Sequence, residues 1–475
     1  MVDRNNRVLR IGLIALLTLM IGGASDSALA EDADRIRPYP KNSFYWQYKG
    51  EPVLLLGGTG QDNLFNNLTG LQPGDATLEE HLDLLVSVGG NYVRNTMHAR
   101  NQGNVFPFKQ LPNGKYDLDQ WNEEYWRRFE KFLKMTAERD IIVQIELWDQ
   151  WDYCRGLWDR DPWNPDLNVN YTTKNTRLKG SGHYKGVTHQ GGGKLDLFLT
   201  VPEVNNDTVV LAYQRRFVDK VLSYTFKHHH VLYTITNELF LQHPPEWSWY
   251  WARYIRQKAA KAGVKIEVTE MLQIEDVTHE QHKASLDHPK IFSFADVSQN
   301  SSATGQRNWD NFQYIKNYLK DHPRPINSVK MYYPAKNVVP NFWRTLLGGG
   351  ASARFHRDTN GIGLNAAAQA SIAAARKVES MVPFWEVEPS QHLLSQRDND
   401  EAYLAAKPGR QYVVFFPNGG SVDVNLVDAK GEFLLRWVNI STGAWGEKAQ
   451  INGGKQVTVT APSSGPWAAV MIRRG

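Results

Sequence analysis

Apolar residues in this chain follow two repeating patterns. Short runs rich in Val, Ile and Leu are each followed by a longer stretch in which apolar residues recur every three or four positions. The first pattern predicts buried strands and the second predicts amphipathic helices. The predicted strands, numbered one to eight in chain order, cover residues 52–58, 91–97, 141–147, 231–235, 265–269, 291–297, 325–331 and 351–356.

The periodic stretches between these runs predict helices on the outside of a parallel sheet. Thr77 and Glu80 have the spacing of a capping box at the start of the first helix. The predicted helices cover residues 77–88, 119–139, 207–228, 245–262, 309–321, 342–347 and 365–382. Eight such units predict an α/β fold, a closed (β/α)8 TIM barrel over residues 31–390. An open doubly wound sheet is the alternative, but no Gly-rich phosphate fingerprint follows strand one.

The two ends of the chain differ from this alternation. Residues 391–475 contain short alternating runs separated by Gly- and Asn-rich turns, which predict a C-terminal antiparallel β-sandwich. Residues 1–30 combine a basic start, an apolar run at 11–21 and the small residues of Ala28-Leu29-Ala30. This pattern is typical of a cleaved signal peptide, and it predicts a secreted or periplasmic protein with no membrane anchor after cleavage.

Composition narrows the possible partners and cofactors. The 475 residues carry a net charge of +4, which is close to balance and argues against nucleic acid as a partner. Cys154 is the single cysteine, so neither a disulfide nor a paired-Cys metal site is expected, and we predict no cofactor. Many of the 16 Trp, 20 Tyr and 19 Phe fall in predicted loops, such as the long one at 151–202. Aromatic loops suit the stacking of sugar rings, although core packing explains many such residues equally well.

Ionisable and amide side chains concentrate where the predicted strands end. In a parallel barrel these ends share one rim, and catalytic groups lie there. The rim residues are Asp62, Arg94, His98, Glu146, Asp149, Asn237, Glu238, Glu270, Asp296, Asn300, Lys330, Arg354 and His356.

Cleavage of a glycosidic bond needs two carboxyl groups, one that donates a proton and one that attacks the sugar or activates water. We select Glu238, Glu270 and Glu146 as catalytic candidates. Predicted substrate-binding residues are Asn237, Arg94, His98, Trp148, Asp296, Asn300, Lys330, Arg354 and His356.

Asn237-Glu238 at the end of strand four, with Arg94 at strand two, resembles the clan A glycoside hydrolases. The resemblance implies that Glu238 is the general acid/base and that Asn237 contacts the substrate 2-hydroxyl. Leu55-Leu56-Gly57-Gly58-Thr59 and the C-terminal module are similar to a bacterial group of cellulase-like barrels whose end domain is labelled collagen-binding. The module motifs are YVVFFPNGG at 412–420, RWVN at 436–439 and Thr442-Gly443. The resemblance implies a carbohydrate substrate and possible contact of the C-terminal domain with matrix or polysaccharide.

Strand seven departs from the clan pattern. The clan places its nucleophilic Glu at the end of this strand, whereas the present strand carries Lys330, and no Glu occurs between Glu280 and Glu379. Three explanations stay open: a second carboxylate from strand five or three, Asp296 as the base of an inverting reaction, or a barrel that binds without hydrolysis. We favour Glu270 as the partner of Glu238, because the ends of adjacent strands lie close together. Lys330 and Arg354 would lower the pKa of a nearby acid or hold an anionic sugar substituent.

The sequence therefore predicts an exported glycoside hydrolase built around Glu238. A non-catalytic carbohydrate- or matrix-binding protein on a degenerate glycosidase barrel is the alternative. A lyase or esterase on the same barrel is a third possibility, but the chain has no Gly-x-Ser-x-Gly elbow to support an esterase.

Overall fold

The computed structural model describes residues 34–66, 76–101, 103–187, 193–332, 337–357 and 362–474. The leader at 1–30 lies outside the described residues, so its export signal stays a prediction. No helix in the described ranges combines the length and apolar character needed to cross a bilayer.

Eight parallel strands form the barrel, as the sequence predicts. In chain order they are Leu55–Thr59, Tyr92–Thr96, Ile142–Asp149, Val231–Asn237, Val268–Thr269, Ala295–Asp296, Ile326–Asn327 with its continuation Met331–Tyr332, and Ser352–His356. Seven of these segments form one hydrogen-bonded sheet, and strand six pairs with the start of strand seven. A backbone hydrogen bond from Ser293 N to Val268 O at 2.9 Å joins the segment before strand six to strand five. The continuation of strand seven pairs in parallel with strand eight, and Ala351 N also donates to Ile326 O at 2.9 Å.

Helices cover the outside of the barrel because each has one apolar face. They are Leu78–Ser87, Glu123–Glu138, Thr208–Thr225, Glu246–Lys261, Lys283–Leu286, Gly305–Tyr318, Val338–Leu347 and Ala366–Glu379. The predicted capping box is present, with Glu80 N donating to Thr77 Oγ1 at 3.2 Å and Thr77 N donating to Glu80 Oε2 at 2.8 Å. Short 3-10 helices lie at Gln150–Tyr153, Leu157–Arg160, Asp196–Phe198, Glu280–His282, Ser298–Ser302, Phe384–Glu386 and Gln391–Leu393.

Two of the differences from the predicted boundaries have a clear physical cause. Pro52 and Val53 were expected in strand one but belong to the short strand Glu51–Val53, which pairs with Trp46–Tyr48 in a three-stranded sheet that also contains Arg37–Pro38. Pro52 has no N–H for a central ladder, which explains its place in this outer sheet. The expected helix at 119–139 begins at Glu123, because Phe108–Gln110 and Tyr116–Trp121 form a hairpin ahead of it.

The C-terminal region consists of two antiparallel sheets. The larger contains Glu388–Pro389, Tyr403–Lys407, Gln411–Phe416, Trp467–Arg473, Glu432–Asn439 and Ala444–Asn452, and the smaller contains Leu394–Ser395, Ser421–Asn425 and Gln456–Thr460. This region packs directly on the barrel. Trp343 stacks on Phe415 with ring centroids 5.8 Å apart, and Arg344 Nη2 lies 2.6 Å from Asp400 Oδ1.

Candidate active site

Glu238 follows strand four in an unusual backbone conformation. Its φ is +54°, in the left-handed region that residues with a β-carbon seldom adopt. The Gln150 side-chain amide donates to the Glu238 carbonyl, and Leu239 N donates to Met271 O at 2.8 Å. These bonds from neighbouring strand ends hold the strained residue in place. Residues in this conformation concentrate at functional sites, where the surrounding structure offsets the strain.

The carboxylate of Glu238 faces a cavity of about 150 Å³ at the carboxyl-end rim. The cavity is lined largely by charged side chains. The lining residues are Asp62, Arg94, Arg100, Trp151, Arg155, Asn237, Glu238, Lys330, Tyr332, His356 and Arg357. Small-molecule sites usually enclose about 300–1,000 Å³, so this cavity suits a single sugar ring better than a chain.

Four side chains donate to the Glu238 carboxylate. The Lys330 ammonium is in direct contact with Oε1, which also accepts from Gln299 Nε2 at 3.1 Å and Tyr332 OH at 3.3 Å. Trp151 Nε1 donates to Oε2 at 2.7 Å. Burial alone would raise the pKa of Glu238, but Lys330 and the hydrogen bonds outweigh it and lower the pKa from 4.5 to about 2. Glu238 is therefore ionised in this state.

Lys330 joins strand seven to strand four across the barrel mouth. Its side chain is 2% exposed, and Nζ donates to Asn237 Oδ1 at 2.6 Å as well as to Glu238. Asn237 in turn donates to Asp149 Oδ2 at 2.9 Å. A buried ammonium needs such partners, because removing it from water without them is costly. The Lys330–Glu238 ion pair thus occupies the place at strand seven where a second acid was sought.

Asp62 is the second carboxylate in the cavity lining. Its oxygens lie 2.9 Å from Arg94 Nη1 and 3.0 Å from Arg357 Nη2, with Arg100 at 3.9 Å and His356 at 3.7 Å. Burial would raise the pKa of Asp62, but the charge of Arg94 and the other neighbours lowers the pKa well below its usual value. Asp62 therefore stays ionised at any physiological pH.

Glu146 lies behind the cavity and does not line it. Its side chain is fully buried, with Oε1 at 2.8 Å from Arg94 Nε. Burial raises the pKa of Glu146 in spite of the Arg94 charge. Within the described residues, Glu146 is linked to the cavity lining by Arg94, so the structure gives it a supporting position.

Glu270 lies in a different cavity from Glu238. This neighbouring cavity has a volume of about 390 Å³, is mainly apolar, and is lined by Leu239, Ser248 and Trp249 among others. Glu270 Oε1 accepts from Met271 N at 2.9 Å, and burial raises the pKa of Glu270 well above its usual value. Although this cavity is the larger, we place the candidate site in the smaller one, because the charged groups converge there. The expected pairing of Glu238 with Glu270 in one cavity is not found.

Glu270→Gln should change stability in a pH-dependent way. A carboxyl whose folded pKa is raised destabilises the protein as pH rises above its unfolded pKa of about 4.5, and the neutral amide escapes that cost. The variant should therefore gain stability relative to the wild type between pH 4 and pH 7, by up to about 1.4 kcal/mol per pH unit. Urea unfolding at the two pH values measures the difference in stability between the variant and the wild type. A difference that is the same at both pH values would show that the pKa of Glu270 is not raised.

The predicted substrate-binding residues divide into two groups. Asn237, Arg94, Lys330 and His356 line the cavity. Trp148 does not: its indole packs in the barrel-to-helix core at 5.4 Å from Phe217 and 5.7 Å from Trp251, so its predicted contact with substrate is corrected.

The remaining predicted binding residues serve the structure around the rim. Asp296 accepts from Ser298 N at 2.9 Å inside the barrel, and Asn300 donates to Asn308 O at 2.8 Å. Arg354 donates to Val329 O at 2.7 Å, and the buried His98 accepts from Arg100 N at 3.4 Å. None of these four is among the described lining residues of the cavity.

Five lining residues are absent from the predicted rim set: Arg100, Trp151, Arg155, Tyr332 and Arg357. Tyr332 and Arg357 directly follow the predicted ends of strands seven and eight, so extending each strand by one residue would have found them. Arg100, Trp151 and Arg155 lie in the connections that follow strands two and three, with Trp151 in the 3-10 helix Gln150–Tyr153. In such short irregular segments neither periodicity nor spacing signals which side chain faces a cavity.

Solved glycoside hydrolase structures share this architecture. A glycoside hydrolase family 5 protein from Bacteroides vulgatus has a TM-score of 0.60 and 12% identity, covering 92% of this chain and 93% of its own. A second structure, described as a glycoside hydrolase, has a TM-score of 0.61 and 12% identity, with 94% and 98% covered. No family model matches the sequence, and no curated protein matches it either. The chain therefore shares the fold of these structures over more than nine tenths of its length, and at this identity the likeness concerns the fold alone.

Proposed function

We propose that the protein is an exported glycoside hydrolase that cleaves O-glycosidic bonds of a poly- or oligosaccharide at the Glu238 cavity. One observation carries this proposal: Glu238, which follows strand four, and Asp62, which follows strand one, line the same rim cavity of a glycoside hydrolase fold. They are the two carboxylates among the described lining residues. Glu238 is the proton donor, and Asp62 is its ionised partner.

The surroundings of the two acids suit this division of roles. Hydrolysis needs one carboxyl that carries a proton and one that stays ionised. The arginines around Asp62 keep the pKa of that carboxyl low. Glu238 is buried, so its pKa would rise once Lys330 no longer contacts it. Proton donation by Glu238 thus requires that a bound substrate weaken the Lys330–Glu238 ion pair.

A screen for released sugar ends tests hydrolysis directly. The mature chain is incubated with neutral and acidic polysaccharides, and new reducing ends are measured together with product masses. The Glu238→Gln/Lys330→Met double variant is the control, because it keeps the buried pair uncharged. Reducing ends from the wild type alone support the proposal. Equal release by the double variant would show that another site, or a contaminant, is responsible.

Asp62→Asn should lower turnover by about 100-fold on any substrate that the screen identifies. The amide keeps the size of the side chain but cannot serve as base or stabilise developing positive charge on the sugar. Asp119→Asn is the matched control, since Asp119 pairs with Arg216 on the surface at 2.5 Å. Initial rates at saturating substrate give the comparison. A rate within a factor of two of the control would remove Asp62 from the mechanism.

A second candidate function is carbohydrate binding without hydrolysis. The contact between Lys330 and Glu238 favours it, because a permanent ion pair would keep Glu238 ionised and unable to donate a proton. Saccharide binding in calorimetry without release of reducing ends, at any pH between 4 and 8, would select this function over hydrolysis.

Export of the protein is proposed from the leader at 1–30. Expression in a bacterium should yield a periplasmic or secreted chain whose first residue is near Glu31, as read by N-terminal sequencing. A cytoplasmic chain that keeps its leader would contradict export.

A further inference from the structure

Cationic side chains outnumber acids in the lining of the Glu238 cavity. Arg94, Arg100, Arg155, Lys330 and Arg357 line it, whereas only Asp62 and Glu238 do so among the described acids. Neutral sugars are held mainly by amides, carboxylates and aromatic rings, so an excess of cations calls for another explanation. Their accessibility shows which of them a ligand could reach.

Two of the five cations are each held by at least two acids. Arg94 is 1% exposed and lies between Asp62 and Glu146. Arg100 contacts Asp149 and has Nε at 2.8 Å from Asp152 Oδ1. These two arginines therefore fix the wall of the cavity. Arg155 and Arg357 remain as accessible cations, and Lys330 also lines the cavity but is 2% exposed and paired with Glu238.

Arg155 forms no ion pair with any residue in the described ranges. Its side chain is exposed, and its guanidinium carbon lies 3.7 Å above the centre of the Trp151 ring. Stacking occupies the face of a guanidinium and leaves its in-plane N–H donors to other partners. Trp151 also donates to Glu238, so the stacked pair holds Arg155 beside the candidate proton donor.

Arg357 reaches the cavity from the end of strand eight. Its side chain is 51% exposed although it contacts Asp62 at 3.0 Å. Asp62 is shared with Arg94, so Arg357 does not have this carboxylate to itself. Both Arg155 and Arg357 are thus solvent-accessible guanidinium groups at the edge of one small cavity.

We propose that this cavity recognises a sugar that carries a negatively charged group, a carboxylate or a sulfate, bound by Arg155 and Arg357 with Lys330 as the third cation. Planar N–H donors of arginine match the oxygens of both groups. The inference rests on the proposed function, since it names the class of saccharide that enters the same site.

The charged group of such a sugar would also act on Glu238. The Lys330 ammonium has donors for more than one acceptor, and a second anion beside it competes with Glu238. As the Lys330 contact weakens, the buried Glu238 carboxylate takes up one proton from water. An acidic substrate thus removes the ion pair that keeps Glu238 ionised in the resting site.

Calorimetry on the full mature chain tests the inference. The probes are a galacturonate oligosaccharide, its carboxyl-reduced neutral counterpart, and that neutral oligosaccharide carrying sulfate. The acidic probe should bind at least about tenfold more tightly than its neutral counterpart, because charge-assisted hydrogen bonds are the stronger kind. Arg155→Gln and Arg357→Gln should each remove most of that preference.

Arg436→Gln is the matched control. Arg436 also lies over an indole, with its guanidinium carbon 3.6 Å from the Trp445 ring, but it belongs to the C-terminal domain. The control should keep the wild-type preference, and thermal unfolding verifies that all three variants are folded. An equal loss in the control would mean that overall charge, not the cavity, produces the preference, which overturns the inference.

The outcomes separate the inference from the proposed hydrolysis. Preference for the carboxylate probe or for the sulfate probe supports the inference and identifies the group. Tight binding of an acidic probe without cleavage supports the inference and contradicts hydrolysis. Equal affinity for acidic and neutral probes, or cleavage of neutral saccharides alone, overturns the inference while leaving hydrolysis standing.

Discussion

Replacing Lys330 by methionine is expected to destabilise the protein by about 3–5 kcal/mol at neutral pH. The variant keeps the length and apolar stem of the side chain but leaves the Glu238 carboxylate buried without its counter-ion, and breaking one partner of a buried pair costs this much. The lowering of the Glu238 pKa from 4.5 to about 2 corresponds to about 3 kcal/mol, which agrees in size. Urea unfolding followed by tryptophan fluorescence measures the loss.

The pH dependence of this loss follows from the direction of the shift. In the wild type the folded pKa of Glu238 is depressed, so its stabilisation is present above pH 4.5 and is lost as pH falls through about 2. In Lys330→Met, burial raises the pKa instead, and protonation relieves the cost as pH falls. The stability gap between the two proteins should therefore be largest near pH 7 and shrink towards pH 3.

Two further variants distinguish the effect of breaking the buried ion pair from the effect of removing any charged side chain. Lys258→Met breaks a partly exposed pair with Asp219 at 2.7 Å, and such pairs contribute about 1 kcal/mol or less. The Lys330→Met/Glu238→Gln double variant should recover much of the lost stability, because it removes both buried charges. A Lys330→Met protein as stable as the Lys258→Met control at pH 7 would show that the ion pair contributes little to folding.

Much of the barrel could be predicted from local sequence patterns, and the wrong predictions have local causes. A buried strand that ends in Asn237-Glu238 is visible in the sequence, because the apolar run stops where the polar rim begins. The hairpin before Glu123 was missed, since Trp121 continues the apolar repeat of the helix even though Asn122 caps the helix start. Helix periodicity does not show where a neighbouring strand ends.

The side chain that contacts the Glu238 carboxylate could not be predicted, because contacts across a barrel depend on how the barrel closes. Glu270 was favoured as the end of the adjacent strand five, yet its side chain enters the neighbouring apolar cavity. Lys330, on the more distant strand seven, reaches Glu238 directly. Trp148 illustrates the same limit, since a residue at a strand end can face the outer helices as readily as the rim.

Asp62 was among the rim residues but not among the catalytic candidates. It follows strand one in a loop of small and polar residues, where no spacing rule relates it to strand four. Its importance comes from the cations that gather around it from strands two and eight. That arrangement is a property of the folded barrel, and sequence patterns describe only one strand at a time.

Glu238→Gln is expected to lower turnover by about 10,000-fold on a substrate that the wild type cleaves. Loss of a general acid usually costs about 10²–10⁴ in rate, and the upper end applies here because no other described lining residue offers a carboxyl beside the same Lys330, Trp151 and Gln299 donors. The amide still accepts hydrogen bonds through its oxygen, so substrate affinity should change far less than turnover. Steady-state kinetics separates the two effects.

The control variants distinguish lost chemistry from lost folding. Glu238→Gln leaves Lys330 without its counter-ion, so part of any activity loss could reflect unfolding. The double variant with Lys330→Met removes that charge, and it should be folded yet equally inactive. Glu203→Gln, a surface pair partner of Arg253 at 2.9 Å, should keep full turnover. Glu270→Gln decides between the two cavities: a loss as large as that of Glu238→Gln would move the second catalytic carboxyl from Asp62 to Glu270, whereas wild-type turnover would leave Asp62 as the partner.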